Sequence, residues 1–228
     1  MKIAVIQHHL RGDPYQDAEA MVSSVRAAQE QGAEFVILPE VDSLGEEFGG
    51  PRAEFLGALR SIDVNSLSPN ASTRDEGELV SVMQLGPLGR AVLLSGDAPI
   101  DPAVHAGLAE LHPDLLVMLG RSESELQAEA LAEVAIGLSD SAVGLVVVVD
   151  AVGAESGKPG HGGSMIALLG EVVAEALGDD EIILADVVTP IPAPQPGEAL
   201  PTVPPMLSQR LAHHRGEKPT ADYPADLS

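Results

Sequence analysis

Two short apolar runs in this sequence end on residues of chemical interest. FVIL at 35–38 is followed by Pro39-Glu40, and RAVLL at 90–94 by Ser95-Gly96-Asp97. Positions just past the C-terminal end of a strand are where α/β sheets form their sites. An acid there also has a plainer reading, as a helix cap or a turn residue. GAESGK at 153–158 follows another apolar run but fails as a phosphate loop. Only three residues separate its glycines, and Pro159 stands where a Ser or Thr should meet Mg²⁺. The histidines come as the pairs His8-His9 and His213-His214 and as His105, His112 and His161, none at the i,i+4 spacing of a helical metal pair. Each reads as surface polarity or local hydrogen bonding. His161, in a glycine-rich stretch beside a strand end, is the one placed to do more. With no cysteine in 228 residues, disulfides, thiolate metal sites, iron–sulfur clusters and a cysteine nucleophile are all excluded. Neither a metal nor a cofactor is expected.

The elements that must hold these residues alternate. A strand is predicted over 2–7, then a helix opened by Asp13-Pro14 with Gln16 placed to close a capping box. Met21, Val22, Val25 and Ala28 recur at helical spacing, and Gly32 supplies the stop. The strand over 35–38 completes a β-α-β unit with parallel strands. A helix is predicted over 51–62, a polar loop over 63–77, and a hairpin of 79–85 and 90–94 around GPLG. Asp101-Pro102 opens the next helix, and 115–119 is a strand. SESE at 122–125 reads as a capping box opening a long helix, and the unbroken apolar run 143–149 as a strand buried on both faces. A glycine-rich loop over 153–163 leads to strands near 164–168, 172–176 and 182–186, with Leu169-Gly170 as a turn. Seven prolines between 190 and 205 mark an extended tail. One domain over 1–188 and a Pro-rich arm over 189–228 are expected.

Composition narrows the partners. Hydrophobic residues make up 45% of the chain, enough for a core, but aromatics only 2%, so that core is Val, Leu, Ile and Ala. The net charge of −23, from 35 Asp+Glu against 12 Lys+Arg, argues against nucleic acid and against anionic membranes. That acidity has two readings, a high-salt habitat or ordinary colloidal repulsion. MKIAVIQ reads as a strand and not as a signal peptide, and the longest apolar run, 143–149, is too short to cross a bilayer. A soluble cytoplasmic protein is expected.

Several of these segments, in order, resemble the nitrilase, or carbon–nitrogen hydrolase, superfamily. MKIAVIQ and QGAEFVILPE (31–40) resemble its first two strands. GRAVLLSGD (89–97) is similar to the strand and elbow that normally read G-x-x-x-x-x-C-x-D. HPDLLVML (112–119) and the stretch 124–153 resemble the following strand, long helix and strand. HGGSMIALLGEVVAEA (161–176) resembles the family hairpin, EIILADV (181–187) its last strand, and PPMLSQRLAHHRGEKP (204–219) its C-terminal arm. The resemblance implies an α-β-β-α sandwich and a homodimer or higher oligomer, joined through helices near the elbow and through the arm.

The family chemistry uses a Glu base, a Lys that stabilises the tetrahedral intermediate and a Cys nucleophile. Glu40 matches the Glu, Ser95 stands at the Cys position, and Asp97 matches the Asp two residues on. No Lys matches, since none lies between Lys2 and Lys158, and the segment from Glu40 to Ser95 is shorter than the family's. Arg90 or Arg74 could bring charge nearby, but a guanidinium gives up no proton at neutral pH. A thiol has a pKa of ~8.5, whereas a serine hydroxyl is closer to water at ~15.7. The difference of ~7 units adds ~10 kcal/mol to proton transfer. A serine route would need His161 or another imidazole within reach. The resemblance therefore implies a homologue without thiol-dependent amidase or nitrilase activity, acting in binding, assembly or regulation on a small amide or carboxylate. The alternative is an active amidase-like enzyme with Ser95 as nucleophile and Glu40 as base.

Overall fold

A computed structural model of the protein describes residues 1–40, 50–67, 79–155, 158–194 and 200–216. Among the described residues, twelve strands form two six-stranded sheets, each covered on its outer face by helices. The first sheet runs β3 (Asn65–Leu67), β2 (Phe35–Ile37), β1 (Lys2–Leu10), β8 (Ala151–Glu155) and β9 (Lys158–His161), with β12 (Glu181–Asp186) antiparallel to β1 along residues 2–7. The second runs β11 (Glu171–Glu175), β10 (Met165–Leu168), β7 (Leu145–Val149), β6 (Leu115–Leu119), β5 (Arg90–Leu94) and β4 (Val80–Gln84), with β5, β6 and β7 parallel.

Alternation along the strands explains why they are apolar throughout. Successive side chains point to opposite faces. Ile3 and Val5 of β1 and Leu93, Val117 and Val147 of the second sheet fill the layer between the sheets. Ala4 and Ile6 face outward onto α1 (Pro14–Glu30) and α2 (Pro51–Leu59), meeting Met21, Val25, Phe55 and Leu59. Leu94, Met118 and Val148 face outward onto α3 (Pro102–Leu111), α4 (Glu125–Ser141) and α5 (Pro205–His214). The layers are α-β-β-α, as expected.

The helix starts follow the local signals. Asp13 accepts the N–H groups of Tyr15 and Gln16, and Gln16 closes the cap through its amide onto the Asp13 carboxylate. Asp101 caps α3 by accepting the Ala103 N–H. For α4 the cap is Ser124, which accepts the Gln127 N–H, while the Gln127 side chain accepts the Glu123 N–H. The box is thus shifted two residues from the Ser122 start.

Three expectations change. Within the expected loop, Asn65–Leu67 pairs parallel to β2 as an edge strand whose only buried side chain is Leu67. The glycine-rich stretch is an antiparallel hairpin, β8–β9, attached to β1 at His8–Leu10. Its glycines serve close approach, since a Cβ on Gly160 would lie 2.5 Å from the Ala151 carbonyl oxygen. Past the proline-rich segment the chain forms α5, which buries Leu207 and Leu211 in the same cluster as Val134 and Leu138 of α4. No helix among the described residues is long and apolar enough to cross a membrane.

Candidate functional site

Because β5, β6 and β7 are parallel and in register, with Leu94 beside Met118 and Met118 beside Val148, the residues just beyond them emerge side by side. These are Ser95-Gly96-Asp97, Gly120-Arg121-Ser122 and Asp150. Glu40 arrives from the other sheet, three residues past β2. Of these, Gly96, Asp97, Gly120, Arg121 and Asp150 border, with Glu40 and Arg210, a cleft of ≈ 340 Å³ that has Leu79 and Leu119 as apolar wall.

Of the residues expected at the site, Glu40 and Asp97 line this cleft and Ser95 does not. Ser95 is 2% exposed, its N–H donates to the Leu79 carbonyl at 3.0 Å, and its own carbonyl accepts the Ala98 N–H at 3.0 Å. Gly96 turns the chain with a φ of 57°. The short 3₁₀ turn that follows, Ala98–Ile100, is tied to α3 by the buried His105 ring, whose Nε2 lies 2.9 Å from the Pro99 carbonyl. Burial lowers the His105 pKa, against smaller opposing effects of the Pro99 carbonyl and Asp101.

Asp150 is the unusual group. It edges the cleft yet is 1% exposed. One carboxyl oxygen accepts the Ser122 N–H at 2.9 Å and the other the Ala151 N–H at 2.8 Å. Its backbone is clamped by the Ser164 hydroxyl, which accepts the Asp150 N–H at 2.9 Å and donates to the Asp150 carbonyl at 3.0 Å. Burial pushes the pKa up to about 7, with Ser122, Ala151 and the Arg121 charge pulling it down.

Two guanidinium groups face these carboxyls. Arg121 lies two residues past β6, and Arg210 comes from α5, far along the chain. Arg210 Nη1 donates to the Arg121 carbonyl at 3.0 Å and to Gln127 Oε1 at 3.4 Å, which joins α5 to the connection between β6 and α4.

The other candidates lie elsewhere. Arg90 begins β5, at the end opposite Ser95, a strand of five residues or about 16 Å away. Arg74 lies outside the described residues. The Lys2 ammonium is near the Gln31 carbonyl. His161 lines a second cleft of ≈ 400 Å³ with Gln7, Ser164 and the acids Glu125, Glu129, Glu175 and Asp179. His8 is buried with its two ring nitrogens near Asp17 and Asp180, and burial lowers its pKa against the pull of those carboxylates. No group of three or more His, Cys, Asp or Glu side chains that could hold a metal ion occurs among the described residues.

The sequence reasoning missed Arg121, Asp150 and Arg210. The first two obey the strand-end rule that found Glu40 and Asp97, since each follows a buried apolar strand. Nothing local marks Arg210.

No family model matches the chain, and no curated protein matches it. Solved structures do. The NitN amidase of Nesterenkonia sp. AN1 is 16% identical over 82% of this chain and 93% of that one, with a TM-score of 0.64. A structure of the amidase from that organism, with the acetamide moiety of fluoroacetamide added covalently at the active-site cysteine, gives 0.65 at 16% identity over 82% and 90%. The glutamine-dependent NAD⁺ synthetase of Acinetobacter baumannii gives 0.66 at 15% identity over 87% of this chain, which spans about half (48%) of that protein. The likeness is one of fold: this chain has the fold of these amidases, and it has no cysteine.

Proposed function

We propose that this protein uses the carbon–nitrogen hydrolase fold to bind a small amide or carboxylate, as a binding, assembly or regulatory protein without thiol-dependent hydrolysis. The observation that carries this reading is the make-up of the Glu40 cleft. Two guanidinium groups and three carboxyls line it, Ser95 is buried outside the lining, and no histidine borders it among the described residues. With no imidazole there to take the serine proton, the ~10 kcal/mol disadvantage of a hydroxyl against a thiol stands. Arg121 and Arg210 stay charged at neutral pH and suit the holding of an anion.

The test is turnover and binding of a panel of small amides and carboxylates, butyramide and butyrate among them. Neither the wild type nor Ser95→Ala should hydrolyse the amides. Calorimetry should detect binding that is lost when Arg121 and Arg210 are both changed to Gln. Turnover that vanishes in Ser95→Ala would overturn the reading. It would favour the alternative of an amidase-like enzyme with Ser95 as nucleophile and Glu40 as base. One observation speaks for that alternative: Gly96 and Asp97, the residues after Ser95, line the same cleft as Glu40. The assembly role would take the form of a homodimer or higher oligomer, and a strict monomer in sedimentation would count against it.

A further inference from the structure

Resting on that reading of the cleft as a binding site, we propose that it takes up a small monocarboxylate together with one proton, the carboxylate against Arg121 and Arg210 and the proton on Asp150. Among the described residues, the charged groups that line the cleft with Asp150 are the carboxyls of Glu40 and Asp97 and the guanidinium groups of Arg121 and Arg210. The elements packed directly on it supply the N–H groups of Ser122 and Ala151 and the Ser164 hydroxyl, none of them titratable. The nearest histidine by connection is His161, whose backbone N–H donates to the Ser122 carbonyl and whose side chain belongs to the second cleft.

Charge counting gives the coupling. With Asp150 ionised, three carboxylates oppose two guanidinium groups, and the cleft repels an incoming anion. With Asp150 protonated the two sets balance. A carboxylate seated on Arg121 also offsets the cation that helps keep Asp150 ionised, so ligand and proton favour one another. By linkage each strengthens the other by the same factor. The burial that brings Asp150 near neutrality sets this exchange at ordinary pH. Arg210 is held through Nη1, while its buried Nε has no hydrogen-bond partner and remains a donor for the anion. A monocarboxylate fits better than a phosphate, because one proton offsets its single charge and would leave part of a dianion unmatched.

The experiment is calorimetry on the full chain with butyrate and its neutral isostere butyramide, from pH 6 to 8.5, in buffers of different ionisation enthalpy. Butyrate should take up a fraction of a proton that approaches one above pH ~7, and its affinity should fall about tenfold per pH unit there, while butyramide shows neither effect. In Asp150→Asn, butyrate binding should lose its pH dependence. Infrared difference spectra of the wild type give a second readout that needs no variant. Butyrate binding above neutral pH should bring up the C=O band of a protonated, ¹³C-labelled aspartic acid. Butyrate binding without proton uptake, or a band that does not appear, overturns this inference and leaves the binding reading in place. Butyramide binding with no butyrate binding does the same. Failure of both probes to bind at any pH overturns the binding reading itself, and this inference with it.

Discussion

Arg210 on the C-terminal helix donates to the backbone carbonyl of Arg121 at 3.0 Å, so the last described helix holds the connection that presents the other guanidinium to the cleft. Helix α5 is thereby part of the site wall and, through Leu207 and Leu211, part of the core. Replacing Arg210 by Met removes hydrogen bonds to the Arg121 carbonyl and Gln127 and should cost about 2 kcal/mol, within the usual range for charged donors. Leu207→Ala should cost about 2–5 kcal/mol through the cavity it leaves. Urea denaturation measures both, and unchanged midpoints would mean that α5 is undocked in solution.

Asp150 should weaken the fold as pH rises. Its folded pKa of about 7 lies above its ordinary 3.8, so the burial cost is absent below the lower value. The cost grows as pH rises toward the higher value and is level above it. Asp150→Asn, measured against the wild type at each pH, should therefore gain relative stability between pH 4 and 8. The gain should be on the order of 4 kcal/mol at most. A pH-independent difference would show that Asp150 ionises normally.

His8 and His105 act in the opposite sense. Burial lowers both pKa values from 6.5, so their contribution is intact above that value and is lost as pH falls from it toward the folded pKa. Their ring C–H resonances should titrate with midpoints below 6.5, and stability should decline on the acid side for this reason. Midpoints at or above 6.5 would contradict the burial of these rings.

Ser95→Cys tests the elbow. A thiol at a position 2% exposed should react slowly with iodoacetamide in the native protein and rapidly in urea. It should bring no amide hydrolysis, since no lysine borders the cleft among the described residues. Fast alkylation under native conditions would put this residue in the cleft and reopen the enzymatic alternative.

Gly160→Ala probes the hairpin. Its Cβ would sit 2.5 Å from a backbone oxygen of the partner strand, which cannot rotate away as a side chain could. A loss of about 1–3 kcal/mol is expected from such overpacking, read as a lower melting temperature. No change would mean that β8 and β9 are unpaired.

Features with local physical causes were the readable ones. β5, β6 and β7 were found because both faces of each are buried, which demands unbroken apolar runs. Asp13-Pro14 and Asp101-Pro102 were found because a carboxylate satisfies helix N–H groups and proline suits the first turn. β3 was invisible because its pairing is through the backbone and it buries a single side chain. β8 and β9 were misread because glycine and proline weigh against strands, whereas here glycine is what lets the chains approach. Helix α5 did carry a signal, Leu207 and Leu211 one turn apart, which the neighbouring prolines masked.

The alternation of the main strands and helices and the absence of a cysteine nucleophile were determined by the sequence itself, since periodicity, caps and composition act within a few residues or need no geometry at all. The α-β-β-α layering was implied by the family resemblance of whole segments. Which side chains share a cleft was decided by tertiary structure. Sheet order sets Asp97, Arg121 and Asp150 side by side, the second sheet brings Glu40 opposite them, and α5 folds back to deliver Arg210. The same packing sinks Ser95 below the surface and removes the Asp150 carboxyl from water, and desolvation is a property of the whole surroundings that no run of neighbouring residues encodes.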